Sequence, residues 1–345
     1  MLHELQKIID QAREYQRQQQ KCVLVTVVAL DGSSYRKPGV RMLISQNGVR
    51  TGAVSGGCVE KEVVAQAQSV FENDKPKIID YDGRYRLGCE GVLYMLVEPF
   101  SVSDEFYESF QKHLKLRSSV EIISYFRPAV GETGNFGSVV RFREKDSNEF
   151  SKTFTVNPEF DLENTITLET FTQQLPPLFQ LLIIGAEHDA VKLCKSAALL
   201  GWEVRVVGSI KDPKITEDFP GSKAVLANSP ETFDFSTIDR ETAVLLMTHN
   251  YAQDLQWLLQ LHALDLAYLG MLGSTRRKEQ LEDELFERAP TLQPEFLENL
   301  FSPAGLNLGA VTPEEIAVSI LAEILSVTRS RKPFSLKNLR GKISE

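Results

Sequence analysis

The sequence of 345 residues contains few cysteines, no excess of positive charge and no long apolar run. The four cysteines form no CxxC pair, which disfavours a structural zinc site and a disulfide framework. A net charge of -9, from 38 basic and 47 acidic residues, disfavours a nucleic-acid partner. No apolar run approaches the roughly 20 residues that a membrane span needs, and the polar N-terminal stretch does not resemble a signal peptide. We therefore expect a globular, cytoplasmic protein with reduced thiols.

The first half of the sequence combines helical stretches with strand-like runs. Asn47-Gly48 lies between two such runs and accepts the positive φ angles of a type I′ turn, so a hairpin is predicted there. From residue 101 onward a helical stretch is followed by what looks like a meander of exposed strands. No core pattern is visible between Thr165 and Pro177. These features predict an N-terminal α+β domain whose 101–177 part is variable and rich in strands.

The pattern changes at Pro176-Pro177, after which apolar strands alternate with amphipathic helices. This alternation predicts a parallel sheet covered by helices on both faces. The last helix should begin at Thr312, because Pro313 and Glu315 complete a capping box. The predicted fold class is therefore α/β: an N-terminal α+β domain at 1–177, then a Rossmann-like, doubly wound domain at 178–345.

The first strand of the second half leads into an altered dinucleotide-binding turn. The usual pattern is G-x-G-x-x-G/A, and here the chain reads GAEHDA from Gly185. Glu187 replaces the middle glycine and puts a carboxylate where a diphosphate would approach the helix N-terminus. The acidic residue expected at the end of the second strand is also replaced, by Gly208. The sequence predicts a Rossmann-type fold without ordinary NAD binding.

Further polar residues follow the later strands, where open α/β sheets bind their ligands. Thr248-His249 ends one strand, and a glycine turn with Arg276, Arg277 and Lys278 ends the next. Three cations and free N–H groups can form a phosphate seat. The alternatives are a solvated helix face and a histidine that only caps a helix or hydrogen-bonds in the core. The binding candidates of this half are Gly185, His188, Thr248, His249, Gly273, Ser274 and Arg276.

Two cysteines of the first half lie in glycine-rich segments. Cys58 precedes a helix predicted at 59–72, whose positive end favours the thiolate, and Cys89 lies in a second glycine-rich turn. The alternative is that the glycines only shape a turn and Cys58 is a small buried filler. Cys22 and Cys194 lie in apolar patterns and are expected to be inert. The binding candidates of this half are Ser33, Ser34, Arg36, Arg41, Ser55, Gly56, Gly57, Cys58, Glu60 and Cys89.

These segments together resemble a known family. GSSYRKPGVRMLIS, GAVSGGCVEKEVV and LGCEGVLYMLVEP resemble the N-terminal domain of the XdhC/CoxI family. LLIIGAEHDAVKL, VLLMTHNYAQDL, YLGMLGSTRRK and PAGLNLGAVTPEEIAVSILAEI resemble its Rossmann-like domain. The family usually reads GAGH where this chain has GAEH, and GCGG where it has GCEG. The resemblance covers nearly the whole chain except 101–177.

The resemblance implies an accessory protein of molybdenum hydroxylases such as xanthine dehydrogenase. Such a protein binds molybdenum cofactor (molybdopterin) transiently, while a cysteine desulfurase supplies its sulfido ligand, and then assists insertion into the apoenzyme. Cys58 and Cys89 occupy the family's cysteine positions and would be the molybdenum contacts. The resemblance also implies a homodimer and a chaperone rather than a catalyst.

Two other functions remain open from the sequence. The first is an NAD(P)-dependent oxidoreductase with a degenerate Rossmann fingerprint, against which Glu187 and Gly208 argue. The second is a purely structural partner of the target enzyme with vestigial pockets. Copurified pterin distinguishes the chaperone from the structural partner, and bound NAD(H) or hydride transfer would indicate the oxidoreductase.

Overall fold

The structure is a computed structural model. It describes residues 1–34, 36–55, 57, 59–83, 91–144, 149–289 and 292–338. The chain divides into an N-terminal unit, Met1–Pro177, and a C-terminal unit, Leu178–Glu345. Among the described residues, no helix has the length and apolar character needed to cross a bilayer.

A five-stranded antiparallel sheet forms the first part of the N-terminal unit. Its strands, in the order β3-β2-β1-β5-β4, are β1 (Cys22–Asp31), β2 (Arg41–Ser45), β3 (Arg50–Gly52), β4 (Lys77–Asp82) and β5 (Val92–Pro99). Helix α1 (Leu2–Arg17) packs against β2 and β3, and α2 (Glu60–Asn73) packs against β1 and β5. Alternate residues of β1, such as Val23 and Val25, meet Val63 and Val70 of α2 in one apolar core. The period-2 pattern of the strands and the helical spacing of α2 thus bury the same core.

The predicted hairpin joins β2 to β3, but its turn is not type I′. The N–H of Gly48 donates to the Ser45 carbonyl at 2.8 Å, and the N–H of Ser45 donates to the Val49 carbonyl at 2.9 Å. Gly48 has φ +78°, whereas Asn47 is not among the described non-glycine residues with positive φ. The loop therefore has three residues and needs one left-handed residue, which glycine supplies without strain.

A four-stranded antiparallel sheet forms the rest of this unit. Its strands, in the order β8-β7-β6-β9, are β6 (Val120–Phe126), β7 (Gly137–Arg143), β8 (Phe150–Thr155) and β9 (Glu169–Leu175). The expected exposed meander is wrong for β6 and β7, whose residues are mostly buried. Phe142 of β7 packs on Phe106 and Phe110 of α3 (Asp104–Leu116). Strand β9 was not predicted, because only one of its seven residues, Leu175, is buried.

The C-terminal unit is the predicted doubly wound parallel sheet. Its strands, in the order β12-β11-β10-β13-β14-β15, are β10 (Gln180–Ile184), β11 (Glu203–Gly208), β12 (Ser222–Ala227), β13 (Thr242–Leu246), β14 (Tyr268–Met271) and β15 (Leu300–Phe301). Its helices are α4 (His188–Leu199), α5 (Tyr251–Leu261), α6 (Thr275–Arg288), α7 (Pro294–Glu298) and α8 (Pro313–Thr328). One apolar core contains α5 and α6, and another contains α4 and α8, so both faces of the sheet are covered. The strand order reverses between β10 and β13, which creates a switch-point crevice.

The last helix begins as the sequence predicts. The Thr312 hydroxyl accepts from the Glu315 N–H at 3.3 Å, and the Glu315 carboxylate accepts from the Thr312 N–H at 3.1 Å. This reciprocal pair satisfies two donors that the first turn of a helix otherwise leaves open. The capping box of α8 is confirmed.

Candidate functional site

A crevice of about 300 Å³ lies at the carboxyl ends of β10, β11, β12 and β13. It is built from the turn after β10, the loop after β11, the chain after β12 and the start of α5. Its polar and glycine residues are Gly185, Glu187, Gly208, Ser209, Lys211, Asp212, Lys214, Asn228, Ser229, Thr248, Gln253 and Gln256. Parallel strands bring their carboxyl ends to one edge, so residues distant in sequence face one space.

The turn between β10 and α4 lies close to the end of β13. Gly185 has φ +125°, and a Cβ added there would come within 2.3 Å of the Met247 carbonyl oxygen. Only glycine fits this position, as the sequence pattern indicates. Glu187 occupies the N-cap of α4, makes no side-chain cap bond there and is exposed. A carboxylate therefore stands at the helix N-terminus, where a dinucleotide's diphosphate usually binds.

The loop after β11 carries charges that sequence reasoning missed. The Ser209 hydroxyl accepts from the Lys211 N–H at 3.2 Å, and the Lys214 ammonium lies 2.7 Å from the Asp212 carboxylate. The hydrogen bond and charge of Asp212 raise the pKa of Lys214. Within the described part of the chain, the Lys211 ammonium makes no ion pair. The available signal was the pair of lysines spaced Lys-x-x-Lys directly after a strand whose last residue is glycine.

Asp254 joins the end of β13 to α6. Its carboxylate accepts a hydrogen bond from the Thr248 hydroxyl at 2.5 Å and also pairs with the Arg277 guanidinium. Asp254 is only 1% exposed, and burial raises its pKa although Thr248 and Arg277 oppose this shift. Asp254 was not among the predicted site residues, and Arg277 was predicted as a cation of a phosphate seat; their pairing was missed, because two residues 23 positions apart leave no local pattern.

Two of the three cations predicted for a phosphate seat after β14 have carboxylate partners. Arg277 is bonded to Asp254, and Lys278 lies 3.5 Å from Glu282. Arg276 is exposed. Ser274 caps α6 by accepting from the Arg277 N–H at 3.3 Å, and the Arg277 side chain packs over Gly273. The contacts of this segment are therefore those that begin a helix.

Two of the seven C-terminal candidates, Gly185 and Thr248, line the crevice. His188 lies at the exposed start of α4, near enough to Glu314 to lower the pKa of that carboxyl, after the larger effects of Lys192 and backbone hydrogen bonding. His249 is exposed and has φ +54°, a left-handed conformation that costs a non-glycine residue on the order of 1 kcal/mol. The remaining three are Gly273, the N-cap residue Ser274 and Arg276, at the start of α6.

In the N-terminal unit, Ser55 and Glu60 bind each other at the start of α2. The Ser55 N–H and hydroxyl donate to the two Glu60 oxygens at 2.8 and 2.7 Å. The Ser55 hydroxyl oxygen accepts from the N–H groups of Gly57 at 3.1 Å and Val59 at 3.3 Å. Burial would raise the pKa of Glu60, but these hydrogen bonds outweigh it and the pKa is lowered. We call this arrangement the Ser55–Glu60 clasp.

The clasp changes the role expected of Glu60. Glu60 was predicted as a binding residue. It is 3% exposed and both of its oxygens accept from Ser55, so the carboxylate holds the chain and does not face a ligand. The candidates Gly56, Cys58 and Cys89 lie outside the described residues. Among the described residues, no group of three or more His, Cys, Asp or Glu side chains is arranged to hold a metal ion.

Of the binding candidates after β1, one cation belongs to the sheet. Ser34 and Arg36 interact through the Arg36 N–H and the Ser34 hydroxyl at 3.4 Å. Arg41 instead begins β2 and is buried, with Nη1 donating to the Gly39 carbonyl at 2.9 Å and to Gln173 Oε1 at 2.5 Å. Burial lowers the pKa of Arg41 to about 10. Arg41 thus faces the interior of the N-terminal unit and is not part of an open loop.

The sheet register places the strand ends that flank the three motif segments on one side of the five-stranded sheet. Asp31, the last residue of β1, pairs with Val92, the first residue of β5. Strand β3 runs parallel to β1, since both are antiparallel to β2, so its end at Gly52 points the same way. The described strand ends at Asp31, Gly52, Asp82 and Val92 therefore lie on one edge of the sheet, with Gly52 level with Val25 of β1. We call this edge the motif edge.

Close backbone packing supports this arrangement. A Cβ added to Gly91 would lie 2.6 Å from the Ser33 carbonyl oxygen, so only glycine lets these two segments touch. The N–H of Gly83 also donates to the Gly91 carbonyl at 3.0 Å. Ser33 thus lies beside the chain that follows Cys89 by two residues.

The fold and these two sites define a two-domain protein with a Rossmann-like domain placed after a cysteine-bearing α+β domain. The model of the XdhC Rossmann domain matches residues 181–324, and that of the XdhC and CoxI family matches residues 15–82. The chain is 31% identical over 328 residues to a probable xanthine dehydrogenase subunit of Bacillus subtilis (strain 168), covering 91% of this chain and 94% of the relative. The chain belongs to the XdhC and CoxI family.

Two further similarities extend over most of the chain. The molybdenum cofactor insertion chaperone PaoD of Escherichia coli (strain K12) is 25% identical over 319 residues, covering 88% of this chain and 83% of that protein. A crystal structure described as a xanthine dehydrogenase from Bacillus halodurans superposes with a TM-score of 0.73 at 28% identity. That match covers 94% of this chain and 97% of the other, so both units are shared.

Proposed function

We propose that this chain is a maturation factor that binds molybdenum cofactor, assists its sulfuration and supports its insertion into a xanthine-dehydrogenase-like molybdenum hydroxylase. The observation that supports the proposal is the motif edge, where the strand ends that flank the three motif segments point the same way. The name of the similar chaperone PaoD supports the same role.

The chemistry of the motif edge suits this cargo. Thiolates are soft ligands that suit molybdenum and sulfur chemistry, and in the sequence Cys58 and Cys89 belong to the segments that these strand ends flank. The Ser55–Glu60 clasp bonds the N–H groups of Gly57 and Val59, the neighbours of Cys58 on both sides. We infer that the clasp fixes the backbone from which Cys58 acts.

The crevice of the C-terminal unit offers the donors that a phosphorylated pterin needs. It is lined by hydroxyls, side-chain amides and two lysines. Phosphate is bound well by lysine and by hydroxyl groups, and a planar ring needs a few well-placed polar contacts. These residues fit such a ligand, and Glu187 makes the same crevice a poor seat for an ordinary diphosphate.

The proposed partners follow from the proposed role. They are the molybdenum hydroxylase apoenzyme, which receives the cofactor, and a cysteine desulfurase, which supplies the sulfur. We further propose a homodimer, the commonest symmetric assembly, and a cytoplasmic location. The location is supported by Cys22 and Cys194, which are free and buried thiols.

Copurification tests the proposal directly. The full chain is expressed in a host that makes molybdenum cofactor, and the purified protein is assayed for oxidised pterin fluorescence and for molybdenum. We expect both in the wild type, and their loss in Cys58→Ala with the fold intact. Cys194→Ala is the matched control, because Cys194 is buried in the core of the other unit. A Cys58→Ala variant that retains pterin and still supports an active partner would contradict the proposed role of Cys58.

An NAD(P)-dependent oxidoreductase is the second candidate, because the strand order of the C-terminal unit is that of dinucleotide-binding sheets. Glu187 opposes it. Bound NAD(P)(H) or hydride transfer by the purified protein would favour this function over the first.

A further inference from the structure

The charges of the crevice are placed in the reverse of the usual Rossmann order. In dinucleotide-binding domains the first helix N-terminus binds the diphosphate, and an acidic residue after the second strand binds a ribose hydroxyl. Here the acidic residue, Glu187, stands at the first helix N-terminus. The second strand ends in Gly208, and Lys211 and Lys214 follow it in the crevice lining.

The chain after β11 has donors for an anion. Gly208 is buried, and a Cβ there would lie 3.2 Å from the Cβ of Ala186, so the glycine lets β11 end close to the turn after β10. Ser209 and Lys211 are exposed, and the Ser209 hydroxyl fixes the Lys211 N–H. Lys214 keeps its ion pair with Asp212, so Lys211 is the cation that a ligand meets without displacing a carboxylate.

The facing wall is already shaped by the protein. The Asn228 amide donates to the Thr232 carbonyl at 3.2 Å, and the Ser229 N–H donates to the Thr232 hydroxyl at 3.0 Å. This turn closes the crevice on the side of β12 and does not need a ligand to order it. Preorganised walls lower the entropy that binding costs.

The side of the crevice formed by the turn after β10 accepts hydrogen bonds through Glu187, which lies near enough to Lys214 to contribute to raising the pKa of that ammonium, after the larger effect of Asp212. The Glu187 carboxylate makes no cap bond in α4, so its oxygens remain available to donors. A carboxylate repels phosphate but binds the amino groups of a heterocycle or the hydroxyls of a diol. A ligand therefore satisfies both ends only if its phosphate lies at the end of β11 and its donors lie at Glu187.

We propose that the crevice binds a ring-bearing phosphate monoester in this reversed orientation, with the phosphate on Ser209 and Lys211 and the ring amino group or diol on Glu187. The identity of the ring rests on the proposed function, under which it is a phosphorylated pterin. A nucleoside monophosphate has the same chemistry and is the other source of such a ligand.

Calorimetric titration of the full chain tests the orientation with two matched pairs of probes. These are neopterin monophosphate with neopterin, and cytidine monophosphate with cytidine. We expect the phosphorylated member of one pair to bind about tenfold tighter than its partner, the effect of one charge-assisted hydrogen bond. The pair that shows this preference identifies the ring.

Two variants locate the two ends of the ligand, and a third is their control. Lys211→Gln should abolish the phosphate preference, and Glu187→Gln should weaken the phosphorylated and unphosphorylated probes of the binding pair alike. Lys223→Gln is the matched control, because Lys223 is an exposed lysine of β12 outside the crevice lining. It should behave as the wild type.

Several results would overturn the proposal. They are the absence of a phosphate preference in both pairs, an unchanged preference in Lys211→Gln, or tighter binding of phosphorylated probes by Glu187→Gln, which indicates the ordinary orientation. Failure of the proposed function has a different signature: no pterin or molybdenum copurifies, while the phosphate preference and its loss in Lys211→Gln persist.

Discussion

Replacing Glu98 by Gln should remove a pH-dependent weakness from the N-terminal unit. Glu98 is fully buried, and the Ser138 N–H and hydroxyl donate to its two oxygens at 2.8 and 2.6 Å. Burial raises its pKa from 4.5 to about 7, although these hydrogen bonds and the charge of Arg41 oppose the shift. The native state therefore holds the proton of Glu98 where the unfolded chain has already released it.

The sign and size of the effect follow from this difference. Between pH 4.5 and about 7 the native state binds more protons than the unfolded state, so the contribution of Glu98 to stability falls as pH rises and is constant above about 7. At 1.36 kcal/mol per pKa unit, the total loss is about 3 kcal/mol. The Gln side chain keeps the shape: its oxygen accepts from the Ser138 N–H, and its amide donates to the Ser138 hydroxyl. That hydroxyl can then donate to Ser124, 2.8 Å away.

Urea unfolding at pH 5, 6, 7 and 8 measures this effect. The difference between wild type and Glu98→Gln isolates Glu98 from the other carboxyl groups, and we expect it to move by about 2 to 3 kcal/mol in favour of the variant from pH 5 to pH 8. Circular dichroism reports both units, whereas both tryptophans, Trp202 and Trp257, lie in the C-terminal unit. Tryptophan fluorescence is therefore an internal control that should not change. A difference that is flat with pH would refute the reasoning.

Four other predictions concern the thiols, the crevice, the domain boundary and a buried ion pair. On brief iodoacetamide treatment at neutral pH, Cys58 should react first and Cys89 second, because burial raises the pKa of Cys22 and Cys194 to about 11. Mass spectrometry that finds Cys22 or Cys194 modified first would contradict this order. Calorimetry with NAD, NADP and FAD should show weak or no binding, because their diphosphates meet Glu187, and micromolar affinity would mean that the carboxylate turns away. Limited proteolysis should release a stable C-terminal fragment that begins close to Pro176, and cleavage confined to 180–330 would count against two domains. Arg277→Ala leaves Asp254 buried without its cation and should cost about 3 kcal/mol in urea unfolding, whereas the exposed control Arg276→Ala should cost under about 0.5 kcal/mol; equal losses would contradict the pairing.

The fold could be predicted where burial leaves a pattern in the sequence. Strand β10 is buried along its whole length and α4 has helical spacing, so both were predictable, as was the capping box at Thr312. Strand β9 was not predictable, since its alternating threonines and glutamines face solvent and it is held by backbone bonds to β6. The same holds for β12, whose residues are half-buried or exposed, and for β15, which has two residues.

The site could be predicted where a residue type is required by the backbone. Gly185 belongs to a known turn pattern, and the close approach of Met247 shows why. Asp254 resembles any acidic residue of an amphipathic helix, and only its distant partner Arg277 makes it special. Lys211 has the local signal of a Lys-x-x-Lys pair after a strand, but only the contacts between distant strands show that it lines a crevice. Long-range juxtapositions of this kind leave no local signal.

The Ser55–Glu60 clasp changes the reason for expecting a reactive Cys58. From the sequence, the free N–H groups at the start of α2 were expected to stabilise the Cys58 thiolate. In the structure the N–H groups of Ser55, Val59 and Glu60 stabilise the Glu60 carboxylate instead. The Ser55 hydroxyl donates to the same carboxylate and accepts from the Val59 N–H. A nearby carboxylate also disfavours a thiolate by charge. The helix end therefore contributes less to Cys58 than its position in the sequence indicates, and its reactivity must depend more on access through the glycines of the loop. In this view Glu60 has two opposing effects on Cys58. Its hydrogen bonds hold the chain around the cysteine in place, and its negative charge disfavours the thiolate.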